Sequence, residues 1–175
     1  MMIEVNGNGN HTGKVVFENT IWNCALGKSG ITEDKNEGDH ASPAGTYPLR
    51  ALYYRKDRIQ KPVCYLDAIE ISQEMGWCDD PVHPEYNRRI SLPFSASHET
   101  LWRHDALYDL IVVLGHNDNP PVPGKGSCIF MHVAKEGYEG TEGCVALQKR
   151  DLLELLALLK PDTYLRINPR TLSFP

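Results

Sequence analysis

Two residues in the second half of the chain could do nucleophilic chemistry together. Cys144 follows a glycine in Thr141-Glu142-Gly143-Cys144-Val145, and His132 stands twelve positions upstream at the end of Ile129-Phe130-Met131-His132. A thiol is a weak nucleophile until it loses its proton, so it needs a base or a cation beside it. An imidazole with an ordinary pKa of about 6.5 can be that base. Gly143 lets the backbone turn sharply and aim main-chain N–H groups at an oxyanion. Spacing alone leaves the reading open. Free cysteine is among the most buried residue types and is commonly a small core hydrophobe. Cys128, His132 and Cys144 could also ligate zinc, although the chain has no Cys-x-x-Cys pair of the kind structural zinc sites use.

The elements that must position this pair read as short strands. Residues 14–18 and 21–26 are β-favouring runs joined by a tight connection at Asn19-Thr20. Residues 27–45 form a long polar, Gly-rich loop, a length that inside a compact domain points to function or mobility. Residues 46–54 read as a strand, placed at an edge because Pro48 cannot donate to a ladder. Residues 66–72 alternate loosely, and 76–95 is irregular with three prolines. Residues 111–114 form a continuous apolar run suited to a strand buried on both faces. Residues 128–133 are the strand that delivers His132. Leu152, Leu155, Leu156 and Leu159 make one apolar stripe of a helix over 148–160, stopped by Pro161. Residues 163–167 close the domain as a strand. The patterning supports a mostly β domain.

Composition narrows the function classes. The 175 residues suit a single domain spanning 1–175 with a core that needs neither disulfide nor metal. Hydrophobic residues at 41% and charged residues at 23% are ordinary for a globular chain. A net charge of -5 disfavours nucleic acid and anionic membrane as partners. No apolar stretch approaches the roughly 20 residues that span a bilayer. The first residues lack a basic, then apolar, signal pattern, and five cysteines form an odd set without framework spacing, so the expected compartment is the cytoplasm. A removed leader would instead place it in the periplasm or wall.

Family resemblance sharpens the reading. His132 followed by Thr141-Glu142-Gly143-Cys144 resembles the histidine and Ser/Thr-x-Gly-Cys motif of the YkuD-type L,D-transpeptidases. Glu37-Gly38-Asp39, Ser42-Pro43-Ala44-Gly45-Thr46-Tyr47, Gly76-Trp77-Cys78-Asp79-Asp80-Pro81 with Tyr86-Asn87, His98-Glu99 and Gly126-Ser127-Cys128-Ile129-Phe130 fit one branch of that family, in order, from about residue 27 to 160. The implied fold is the family's catalytic-domain β-sandwich with the C-terminal helix packed against it. The implied chemistry is attack by Cys144 on the carbonyl of the third stem-peptide residue of peptidoglycan, a diamino acid, with release of the terminal D-alanine. His132 would be the base, its other ring nitrogen held by a main-chain carbonyl, and Gly143 and Cys144 N–H groups would form the oxyanion hole. The thiolate being the working form, activity should fall below the pKa of the Cys–His pair.

Two departures stand out: Glu142 and Ala146 occupy places where many members carry His and Arg. Substrate contacts are expected from His116, Asp80, Asn87 and Thr141. Asp79 could meet a substrate ammonium as well, whereas Trp77 and Trp102 read as packing residues and Arg88-Arg89 as solvated surface. No cofactor and no metal are implied, and a monomer is expected. Without an export signal the accessible substrates would be recycled muropeptides, which favours an L,D-carboxypeptidase using water as acceptor. The rivals are a wall-cross-linking L,D-transpeptidase, a sortase-like enzyme (disfavoured by Gly143 before the cysteine), and a non-catalytic peptidoglycan-binding module.

Overall fold

The computed structural model describes residues 1–169, so residues 170–175 of the expected domain lie outside it. The strands follow in chain order: β1 (Met2–Gly7), β2 (Thr12–Phe17), β3 (Thr20–Ala25), β4 (Ile31–Thr32), β5 (Ser42–Pro43), β6 (Gly45–Tyr54) and β7 (Ala68–Glu70). Then come β8 (Met75–Cys78), β9 (Arg89–Ser91), β10 (His98–Thr100), β11 (Leu110–Leu114), β12 (Phe130–Val133) and β13 (Val145–Leu147). The helix α1 (Lys149–Leu158) and β14 (Tyr164–Asn168) complete the described chain. The fold is mostly β, as expected.

Nine strands form one sheet in the order β11-β12-β13-β3-β2-β1-β14-β6-β7, and β6 also pairs with β11. That extra pairing closes the ladder into a circuit, so the opposed layers of the expected sandwich are parts of one continuous sheet. Alternation along the strands explains what lies inside. Ile3 and Val5 of β1, Val15 and Phe17 of β2, and Leu165 and Ile167 of β14 are buried in the main core, while Glu4, Val16 and Arg166 between them are more exposed. Helix α1 lays Leu152, Leu155 and Leu156, all 0% exposed, onto the same core. Each such leucine stabilises the fold by about 1.5–3 kcal/mol through burial.

A second core lies on the opposite face of β11 and β12. The small sheet β10-β8-β9 covers it, and Trp77 of β8 meets Phe130 of β12 edge-on at 5.2 Å between ring centroids. β11 is therefore buried on both sides, which is why its five residues are uniformly apolar.

Three expectations are corrected. Residues 76–95 are not irregular throughout: β8 and β9 lie at the two ends of this stretch, paired at Gly76↔Ile90 and Trp77↔Arg89. Strands of three or four residues are too short to show a period, and their pairing partners supply the signal instead. The strand with Pro48 is not at an edge. β14 pairs with Gly45–Pro48 and β7 with Leu52–Tyr54 on one side, while β11 pairs on the other with a bulge between Val112 and Leu114. Pro48 is tolerated because it ends the β14 ladder, and its carbonyl accepts the Gly115 N–H at 2.9 Å. The first residues, not assigned a strand, form β1 between β2 and β14.

Candidate active site

Strand parity places the two chemical residues on one face. In β12, Met131 and Val133 enter the main core, so Phe130 and His132 must point to the second core. β12 and β13 are parallel neighbours in the register Met131↔Val145 and His132↔Ala146. Val145 and Leu147 enter the main core, so Ala146 and, one step before the strand, Cys144 share the face of His132. Both line one cavity of about 360 Å³. Both are only 6% exposed, so they sit at its floor.

The turn into Cys144 is tightly held. Thr141 Oγ1 accepts from the Gly143 N–H at 3.1 Å and donates to the Cys144 carbonyl at 2.7 Å. Ser42 Oγ reaches the same carbonyl at 3.4 Å while accepting from the Gly27 N–H at 2.9 Å. Thr141 N–H donates to the Leu26 carbonyl at 2.8 Å, tying the motif to the end of β3. Gly143 has φ +139°, and a Cβ there would stand 2.9 Å from the Ala41 carbonyl oxygen. Glycine is thus required on steric and conformational grounds. The Gly143 N–H already donates to Thr141, so any oxyanion formed there would have to share it.

His132 Nδ1 lies 2.9 Å from the Val133 carbonyl. A carbonyl only accepts, so Nδ1 carries the proton and Nε2 is the nitrogen left to act as base. The ring packs edge-on against Tyr108 at 5.4 Å, and Tyr108 donates its hydroxyl proton to Glu99 on β10. The Cys144 thiol donates to the Cys128 carbonyl at 3.2 Å and receives the Phe130 N–H at 3.4 Å.

Burial governs the protonation states. It pushes the Cys144 thiol up to about 12, reinforced by the Glu99 carboxylate and opposed by the Phe130 N–H and the Lys35 ammonium. Burial also pulls His132 down to about 4, against the Val133 carbonyl. The resting pair is therefore a neutral thiol and a neutral imidazole, not the thiolate expected from the motif alone. For this thiol to attack a carbonyl from such a state, its proton would have to pass to a base such as Nε2 of His132.

Around the floor the cavity wall carries Glu37, Asp79, Glu99 and Arg103, and the rim Lys28, His40, Lys135, Glu139 and Glu142. Glu142 pairs with both Lys28 and His40, which holds its carboxyl below the usual range. Among the described residues Asp79 Oδ1 is buried without a hydrogen-bond partner.

Of the residues expected to bind substrate, Thr141 lines this cavity and the other three do not. His116 packs on Tyr47 at 5.5 Å between ring centroids, and its Nε2 donates to the Lys125 carbonyl at 2.9 Å, behind Gly126. Asp80 Oδ1 accepts from the Val82 N–H at 3.1 Å and shapes a turn. Asn87 is buried and joins four groups: its Oδ1 accepts from Trp77 Nε1 and the Cys128 N–H, and its Nδ2 donates to the His116 and Asn117 carbonyls. It is a strut for the second core. Asp79, one residue from Asp80, is the carboxylate on the cavity wall. Trp77 packs in the second core, Trp102 stacks under Arg55 at 3.6 Å, and Arg88 and Arg89 are exposed. Among the described residues no three His, Cys, Asp or Glu side chains converge as metal ligands.

Sequence reasoning missed Glu99, Tyr108 and Lys35 as neighbours of the pair. Glu99 stood inside a quoted motif, but nothing local says that β10 faces Cys144. Lys35 and Asp39 carry an i, i+4 charge pattern within the long loop, which was a usable sign.

No curated protein and no solved structure was found to match the chain. A family model described as the YkuD L,D-transpeptidase catalytic domain matches residues 3–168, from β1 to the end of β14. With that match spanning the whole strand circuit and the cavity that holds Cys144 and His132, the chain belongs to the YkuD-type L,D-transpeptidase catalytic-domain family.

Proposed function

We propose that the chain is a cysteine L,D-carboxypeptidase that removes the terminal D-alanine from peptidoglycan-derived tetrapeptides, within the L,D-transpeptidase-type catalysis of peptidoglycan metabolism that its family carries. The observation behind this reading is the small size of the site: Cys144 and His132 lie at the floor of a cavity of about 360 Å³. That is near the lower end for small-ligand pockets, roughly 300–1,000 Å³. Once a stem peptide occupies it, water, with about 30 Å³ to its share, reaches the acyl group more readily than a second stem peptide.

In this reading Sγ of Cys144 attacks the carbonyl carbon of the third residue while Nε2 of His132 takes the thiol proton. Collapse of the tetrahedral adduct breaks the C–N bond, and His132 returns that proton to the leaving D-alanine amine. Water then attacks the thioester with His132 again as base, giving the tripeptide carboxylate and the free thiol. Val133 keeps Nε2 available throughout by holding Nδ1–H. Asp79 and Glu99 on the wall suit the ammonium of a diamino acid at the third position. Five free cysteines suit a reducing compartment, where muropeptides returning from the wall would be the substrate pool.

Transpeptidation is the second reading, favoured by the family's own description. One experiment separates the two: incubate the protein and Cys144→Ala with a disaccharide-tetrapeptide and read products by mass spectrometry. A tripeptide formed by the wild type alone supports carboxypeptidase action. A cross-linked dimer moves the assignment to transpeptidase, and no product with retained muropeptide binding would mean a binding module.

A further inference from the structure

Ala146 shares the cavity face with Cys144, so β13 itself presents no cation to the nucleophile. A cation does stand behind it. Lys35, from the long loop between β4 and β5, is 7% exposed although it carries a full charge. Its Nζ would lie 3.6 Å from a Cβ on Gly143. Its stem passes under Gly126, where a Cβ would meet Lys35 Cγ at 2.9 Å and Cε at 3.0 Å. Gly126 therefore makes room for this side chain, and the ammonium at its end comes to rest against Gly143, beside the nucleophile. Buried lysine is rare unless paired. Here Asp39 accepts one N–H, the Asn36 carbonyl accepts a second at 3.2 Å, and the third has no acceptor among the described residues.

We propose that Lys35 is a positioning residue for catalysis: a buried ammonium behind Gly143 that stabilises the negative charge developing on Cys144 and on the acyl oxygen beside it. The inference rests on Cys144 being the nucleophile. A charge held in low dielectric acts more strongly than one at the surface, and it needs no reorganisation at the moment of attack. The opposing charges are few. Glu99 of β10 and Glu142 of the motif raise the thiol, while Lys35 and the Phe130 N–H lower it. Burial keeps His132, Tyr108 and Cys128 on the same face neutral, and Asp39, paired with Lys35, offsets part of its charge. The bland alternative is that Lys35 and Asp39 merely fold the loop, since Asp39 also accepts from the Asn36 and Ala41 N–H groups at 2.8 and 2.9 Å.

The test uses two readouts on wild type, Lys35→Met, Asp39→Asn and the double variant Lys35→Met/Asp39→Asn. The first is the rate of Cys144 alkylation by iodoacetamide between pH 7 and 9, followed on the Cys144 peptide by mass spectrometry, which needs no substrate. The second is kcat and KM on the tetrapeptide. Lys35→Met should alkylate about tenfold more slowly at fixed pH, one unit of thiol pKa, the double variant more slowly than wild type but less so than Lys35→Met, and Asp39→Asn faster than wild type. kcat should follow, with KM within about threefold, because Lys35 lies behind the wall and acts on charge that exists only in the transition state. If Lys35→Met fails to fold, the double variant removes the unpaired carboxylate and still reports. Alkylation of the folded double variant and of Asp39→Asn at the wild-type rate would overturn the proposal and leave a loop-folding role. Wild-type protein that makes no tripeptide would sink the carboxypeptidase reading, while the alkylation series still judges Lys35.

Discussion

The depressed His132 imidazole makes a quantitative claim about both folding and activity. In the unfolded chain His132 titrates at its ordinary 6.5, and in the native protein burial holds it at about 4. The native state therefore binds its proton later than the unfolded state as pH falls. The stability this group contributes is fully present above pH 6.5 and is lost as pH drops toward and through 4. At pH 4.5 the unfolded imidazole is almost fully protonated and the native one largely neutral, which removes roughly 2–3 kcal/mol relative to pH 8. That is a large share of a typical 5–15 kcal/mol of total stability. Other groups titrate in the same range, so the effect must be isolated by difference. His132→Asn, neutral at every pH, lacks the term. Urea unfolding of wild type and variant at pH 8 and pH 4.5 should show the wild type losing roughly 2–3 kcal/mol more than the variant between the two conditions. The same titration should set the acid limb of kcat/KM near pH 4, with a level profile from about pH 5.5 to 8. A pH-independent difference between wild type and variant, or an acid limb centred near 6.5, would refute the burial argument and restore an ion pair of ordinary acidity.

Gly143→Ala should lower stability by about 2–4 kcal/mol, from a left-handed φ and a Cβ that would stand 2.9 Å from the Ala41 oxygen, and should abolish turnover; thermal melts and product assays check the two parts. Thr141→Val removes the hydroxyl that spans the Gly143 N–H and the Cys144 carbonyl, and a loss of about 1–3 kcal/mol with kcat falling more than KM is expected in denaturant and kinetic measurements. Asn87→Ala leaves two buried and two half-buried partners unmet, so urea unfolding should show a loss of about 2–4 kcal/mol, while KM on the folded fraction changes little because Asn87 does not line the cavity.

Much of this protein was legible before any coordinates. The motif around Cys144 is local, with glycine, threonine and cysteine acting within four residues, so the turn that holds the thiol follows from residue types alone. The period of α1 and the apolar run of β11 reflect burial on one face and on two, and both patterns are visible in a short window. Alternation in Phe130-Met131-His132-Val133 also separates the side that enters the main core from the side that carries His132.

Tertiary structure decided what covers that second side. Lys35, Asp79, Glu99 and Tyr108 come from four separate stretches, and no window of sequence can bring them to Cys144. β8, β9 and β10 are too short to carry a period, so their roof over the second core exists only through their pairing with one another and the packing of Trp77 on Phe130. His116, Asp80 and Asn87 had side chains suited to binding, yet hydrogen bonds to nearby backbone claim each of them. Protonation was the last thing hidden from the sequence. Cysteine and histidine types suggest a thiolate–imidazolium pair, whereas burial, a property of the whole fold, leaves both groups neutral until substrate arrives.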